Sequence, residues 1–173
     1  MNADEIAPRI FLILVLLIAM INDVRFRKIP NWLTLSAVIL SMGYHTSTKG
    51  LSGFVFSAQG VGVGMAALAI PYLMGGTGAG DVKLMGGIGS LLGPKGAFIA
   101  TIFIFLMGGI YAIVLLIVHR YFKEAMKRYW SILKTFLLTR KIVYLPPSEN
   151  EEKPKLCYAV PIALGTFISL FLK

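Results

Sequence analysis

The chain has one cysteine, two histidines and eight acidic residues among 173 positions, and each scarcity excludes something. A single thiol, Cys157, can form no intramolecular disulfide and no CxxC zinc or redox site. His45 and His119 lie far apart without HExxH spacing, so a helical zinc-protease motif is absent. No ligand cluster for a metal is in view, and nothing calls for a cofactor. Charged residues make up only 14% of the chain, against ~25% in a soluble protein. A disordered chain and an ordinary globular enzyme are both excluded. No room remains for a soluble catalytic domain, so any chemistry sits in or beside a membrane.

What fills the chain is apolar: 57% of residues, with a mean hydropathy of +0.77. Apolar runs cover residues 6–21, 32–44, 51–74, 82–92, 97–118 and 157–172. At about 20 residues per crossing, the length suits up to six spans and one modest loop. The run 82–92 would reach only ~16 Å as a helix, too short to cross unless loop residues extend it. The first run reads as a retained span rather than a signal peptide, because Asp4 and Glu5 precede it and no small-residue cleavage site follows. Pro30 suits the first turn of the second helix, where its missing N–H costs nothing. Residues 45–50 read as a short polar loop, 75–81 as a glycine-rich loop, and 93–96 as a turn.

The one long polar segment is 119–156. Phe122, Met126, Tyr129, Leu133 and Phe136 recur at steps of three and four, with Lys123, Lys127, Arg128 and Lys134 between them. That pattern predicts a basic amphipathic helix lying on a membrane surface, the natural partner of anionic lipid. Residues 146–154 read as a flexible loop. The expected fold is therefore all-α: a polytopic membrane helix bundle of about six transmembrane helices. It is a single membrane-embedded domain over 1–173, with 119–156 as a cytoplasmic basic loop.

The net charge of +9 fits this topology and needs no nucleic-acid partner. With the Asp23 loop inside and six spans alternating, Arg25, Arg27, Lys28, Lys83 and nine residues between Arg120 and Lys155 face inward. Only Arg9, Lys49, Lys95 and Lys173 remain outside. Basic loops stay cytoplasmic, so both termini are expected outside and the loops at Asp23 and Asp81 inside.

Of the eight acidic residues, six are most simply solvated: Asp4, Glu5, Glu124, Glu149, Glu151 and Glu152. Asp23 and Asp81 are different, since each falls where a span meets the cytoplasmic surface. Ionisable groups at membrane depth are costly and tend to be functional. Two carboxylates brought together share one proton, so the ionised member can draw a proton from water while the other donates to a carbonyl oxygen. The plainer alternatives are that Asp23 caps a helix or pairs with Arg25, Arg27 or Lys28, and that Asp81 caps a helix beginning at Val82. Gly75, Gly76, Gly78 and Gly80 ahead of Asp81 would let another backbone approach closely, as an extended substrate strand requires.

Gly78-Ala79-Gly80-Asp81-Val82-Lys83 resembles the GxGD-x-K signature of type IV prepilin peptidases and their archaeal preflagellin relatives. Asp23, with Arg25, Ile29, Pro30 and Asn31, resembles that family's first-aspartate motif, D-x-R-x-x-x-I-P-N. The resemblance runs from Asp23 through the last span, which contains Pro161. It implies a membrane aspartic endopeptidase of the inner (cytoplasmic) membrane, its active site facing the cytoplasm. The substrate would be a prepilin-like precursor, from which a short basic leader is removed, usually after a glycine. Carried over by position, Asp23 and Asp81 are the catalytic pair, Gly78 and Gly80 shape the motif loop, and Lys83 fills the basic position. Lys83 reads equally as a positive-inside anchor. Longer members carry a cytoplasmic insertion with two CxxC pairs and also methylate the new N-terminus. This chain lacks that insertion and so resembles the short, peptidase-only forms of Flp/Tad-type pili, with preflagellin peptidases sharing its length. Copy number is left open, a homo-oligomer included.

Two readings from other classes compete. A small transporter or channel subunit would explain six spans, glycine-rich helices and one broken span, but would place its acidic residues near mid-bilayer. A scaffold would recruit partners through the basic loop. Gly60-x-x-x-Gly64 and Gly89-x-x-x-Gly93 match small-residue helix contacts. A phosphate loop is excluded, because the strand and the Gly-Lys-Ser/Thr ending are missing.

Overall fold

A computed structural model describes residues 3–118, Trp130 and residues 157–171. The expected basic surface helix and the loop at 146–154 fall outside these residues. Trp130 alone of that segment is described, and it is helical and exposed. Among the described residues the fold is all-α, with four helices: α1 (Ala3–Phe26), α2 (Asn31–Leu73), α3 (Ala79–Val118) and α4 (Ala159–Phe171). Among the described residues, three stretches are long and apolar enough to cross a membrane: Ile6–Phe26, Asn31–Leu73 and Ala79–Leu115. The α4 helix is apolar but shorter. Large side chains such as Leu35, Ile39, Phe98, Ile102 and Leu106 are exposed, a surface suited to lipid rather than water. This is a membrane protein.

Four helices rather than six separate ones follow from how little interrupts the chain. The α2 helix breaks at one residue, Gly50 (φ 61°, ψ −142°), and α3 at Gly93 (φ 71°, ψ 178°). Only glycine takes such angles without strain. Pro94 follows the second break, where a new helical arm has no use for its N–H. Each long helix thus has two arms: 31–49 and 51–73 in α2, 79–92 and 94–118 in α3.

Three boundaries differ from the sequence reading. Residues 45–49 are helical rather than a loop. Their hydroxyls bond back to the preceding turn, Thr46 to the carbonyl of Met42 (2.6 Å) and Ser47 to that of Tyr44 (2.9 Å), while His45 turns inward. The α1 helix runs past the apolar run 6–21 into the polar residues that follow, to Phe26, with Asn22 donating back to the carbonyl of Ile18 (2.9 Å). Pro30 stands just before α2 as its N-cap rather than in its first turn.

Residues 3–108 and 157–171 belong to one compact unit, and 109–118 with Trp130 to a second. In the first unit α1 packs against α4 and α2. Leu12, Leu16, Leu68, Leu84, Met85, Ile88, Ile104 and Ile162 form the core. The arms 51–73 and 79–92 lie backbone against backbone. A Cβ on Gly60 would run into the carbonyl of Gly89 and the reverse, while one on Gly64 would meet that of Met85. Close helix contact by small residues is therefore the use made of Gly60, Gly64 and Gly89. Gly93 serves differently, as the break itself, under the ring of Phe56. A buried polar seam adds to this grip. Ser57 donates to the carbonyl of Ser90 (2.7 Å) and meets Ser41 (3.3 Å), and His45 Nε2 meets the carbonyl of Leu91 (3.3 Å). Such contacts fix the arm 79–92, and with it the start of α3.

Candidate active site

Both singled-out aspartates are buried, Asp23 at 9% and Asp81 at 7% exposure. Asp23 occupies the last turn of α1. Its backbone carbonyl accepts from the N–H of Arg27 (2.8 Å), and Arg27 takes a left-handed conformation (φ 54°). That is a single-bond helix stop, built on an arginine where glycine is usual. The side chain reaches a different element: Oδ2 accepts from the N–H of Ala159 (3.1 Å), at the start of α4. A carboxylate at a helix N-terminus satisfies a donor that has no intrahelical partner and meets the positive end of the helix dipole.

Asp81 lies in the first turn of α3, which begins at Ala79 rather than Val82. Its Oδ2 accepts from the N–H of Gly78 (2.8 Å), while the carbonyl of Gly78 accepts from the N–H of Asp81 (3.1 Å). This is the reach-back arm of a capping box, with Asp81 at the third helical position. The capping alternatives for both aspartates are thus realised in geometry, yet each uses only Oδ2. Among the described residues, Oδ1 of each accepts no hydrogen bond.

The structure brings the two motifs together. The charge of Asp23 acts on Asp81. Both act on Cys157, whose thiol is pushed up from its ordinary value by burial first and then by Asp23. Arg27 pulls it back and Asp81 pushes it further up. Tyr158 is likewise raised, by burial and by the charge of Asp81. The motifs also touch directly. Lys83 Nζ donates to Asn31 Oδ1 (2.9 Å), and a Cβ on Gly80 would stand 3.1 Å from that of Ile29. Gly80 therefore admits its neighbour's approach. A Cβ on Gly78 would meet Asp81 Oδ2 at an ordinary 3.4 Å, so Gly78 contributes its N–H rather than space. Gly75, with φ 76°, is the residue of this loop that uses glycine's freedom.

Among the described residues no three of His, Cys, Asp and Glu come together in a way that could hold a metal ion. What the arrangement offers is two buried carboxylates within electrostatic range, each oriented through one oxygen by a backbone N–H. Both stand at helix ends, not in mid-span as an ion-conducting site would require.

Residues 10–113, more than half of the chain, match the type IV leader peptidase family. The chain belongs to that family. It is a peptidase of the leader-peptidase kind, embedded in a membrane. The match takes in Asp23, Asp81 and both motifs and ends before α4. No curated protein and no solved structure matches the chain.

The start of α4 is what sequence reasoning missed. Ala159 holds Asp23, and Cys157 approaches the Asp23 carbonyl through Sγ (3.9 Å). A backbone N–H is common to almost every residue, so composition and spacing give no sign of it. The one available signal was that the last apolar run begins on the same face as both aspartates.

Proposed function

We propose that this leader peptidase is an aspartic endopeptidase in which Asp23 and Asp81 activate water between them. The observation that carries the reading is the convergence of two buried acidic residues at helix ends, from motifs far apart in the chain, in a member of a peptidase family. The ionised carboxylate takes a proton from water as its oxygen attacks the scissile carbonyl carbon. The protonated carboxyl donates to the carbonyl oxygen, giving a tetrahedral diol. Collapse of the diol breaks the C–N bond as the leaving nitrogen takes up a proton. One water is consumed, and no covalent enzyme intermediate forms.

The substrate is a prepilin-like precursor of the Flp/Tad type, cut at the cytoplasmic face of the cytoplasmic membrane. The excess of basic residues in the loops on the aspartate side supports that orientation. The four arms of α2 and α3, with α1 and α4, make six crossings. Gly78, just before α3, and Gly80, in its first turn, shape the motif beside Asp81, and anionic lipid is the partner of the basic segment 119–156.

The test is a mixture of purified protein, in vesicles containing phosphatidylglycerol, with a precursor carrying a basic leader, a glycine and an apolar segment. One cut after the glycine is expected, read by sequencing the product's N-terminus. Asp23→Asn and Asp81→Asn should each lower the rate by at least about a thousandfold while the protein stays folded and inserted, on the scale of lost acid–base catalysis. Full activity in either variant would reject the two-carboxylate mechanism.

A further inference from the structure

We infer that Lys83 and Asn31 form a clasp that sets the spacing of the two aspartates, so that both are positioning residues for the proposed reaction. The inference rests on that reaction but concerns residues that neither donate nor accept its protons. Asp23 ends α1 and Asp81 begins α3, on separate elements. Asp81 is fixed locally by Gly78, and Asp23 by α4. Neither bond ties one aspartate to the other. The Lys83–Asn31 hydrogen bond does so, joining residues 52 apart in sequence. Lys83 stands two residues beyond Asp81, and Asn31 opens α2 directly after the short connection that follows α1. Ile29 also seats against Gly80, where a Cβ would stand a tight 3.1 Å from its own. Two contacts thus join the connection after Asp23 to the first turn holding Asp81.

The bond is solvent-exposed, which separates its role from stability. Exposed polar pairs contribute little to folding. Reacting groups are far less forgiving, since a misplacement of ~1 Å can cost about a hundredfold in rate. A positive-inside anchor would need the charge of Lys83 and have no use for Asn31. The clasp needs a donor at residue 83 and an acceptor at residue 31, and the two requirements can be separated.

The first experiment measures cleavage of the leader-bearing precursor by the full-length protein in vesicles. Lys83→Met and Asn31→Ala should each lower kcat roughly ten- to hundredfold with KM little changed. The double variant should fall no further than the worse single one, because both remove the same bond. Lys83→Arg, and Lys83→Gln with a neutral donor, should recover most of the lost kcat. Multiplying effects, a Lys83→Gln variant as impaired as Lys83→Met, or full activity in the single variants would overturn the clasp. The second experiment needs no turnover. In a Cys157→Ser background, Asp23→Cys and Asp81→Cys are joined by a short bifunctional methanethiosulfonate. Adding Lys83→Met should lower the cross-linked fraction severalfold, whereas an unchanged fraction would reject the clasp. Because this variant is inactive by design, the result stands or falls apart from whether the protein cleaves leaders.

Discussion

At the scale of single residues the site is held by backbone groups. Asp23 and Asp81 stand out in the sequence as candidates because so few acidic residues compete with them and both fall at the ends of apolar runs. Their partners were not visible. Ala159 and Gly78 act through N–H groups, which carry no side-chain signature. Cys157 offers a way to see the convergence without any substrate. Negative charge nearby disfavours the thiolate, so the titration of Cys157 should lie above that of an ordinary thiol. Asp23→Asn and Asp81→Asn each remove one such carboxylate and should shift the pH profile of Cys157 alkylation downward, with faster labelling at a fixed alkaline pH. A profile indifferent to both substitutions would mean that the carboxylates do not meet at the start of α4.

At the scale of elements, the apolar runs marked the helical arms well and the gaps between them poorly. Residues 45–49 look like a loop because they are polar. In the structure Thr46, Ser47 and Thr48 satisfy their hydroxyls on carbonyls one turn back, and helix persists until Gly50. Polarity was mistaken for irregularity, while backbone angle made the actual break. The small-residue pattern was more informative. Gly60 and Gly89 allow two backbones to touch, so Gly89→Ala must push Gly60 away. The expected cost is about 1–3 kcal/mol, read as a lowered unfolding midpoint in detergent micelles. Gly62→Ala, on the facing arm 51–73, meets nothing within 4 Å and should leave that midpoint unchanged or slightly raised. Equal effects from the two substitutions would remove the close contact from the account.

At the scale of the whole molecule, the all-α membrane architecture was legible from composition alone, because 57% apolar residues admit little else. The number of crossings was less so: the sequence suggests about six spans, whereas among the described residues three stretches are long and apolar enough to cross, two of them interrupted by a single glycine. Topology can be checked in a Cys157→Ser background. A membrane-impermeant maleimide should label Gly75→Cys only from the cytoplasmic side and Lys95→Cys only from the opposite side. The reverse pattern would invert the protein and move the aspartates away from any cytoplasmic leader. The donor set predicts that EDTA leaves cleavage unchanged; inhibition by EDTA with recovery on adding zinc would show that a metal takes part.

The arm 79–92 has one more consequence. It is roughly 20 Å long, while the hydrocarbon layer is ~30 Å thick. Along it run Gly86, Gly87 and Gly89, residues that offer lipid little. Such a segment is a poor candidate for entering the bilayer alone as it leaves the ribosome. Its partner, 51–73, is made just before it and presents the complementary groove at Gly60 and Gly64. Translation order delivers the receiving surface first, so the peptide bearing Asp81 is expected to enter the membrane as the second limb of a hairpin whose first limb is already in place.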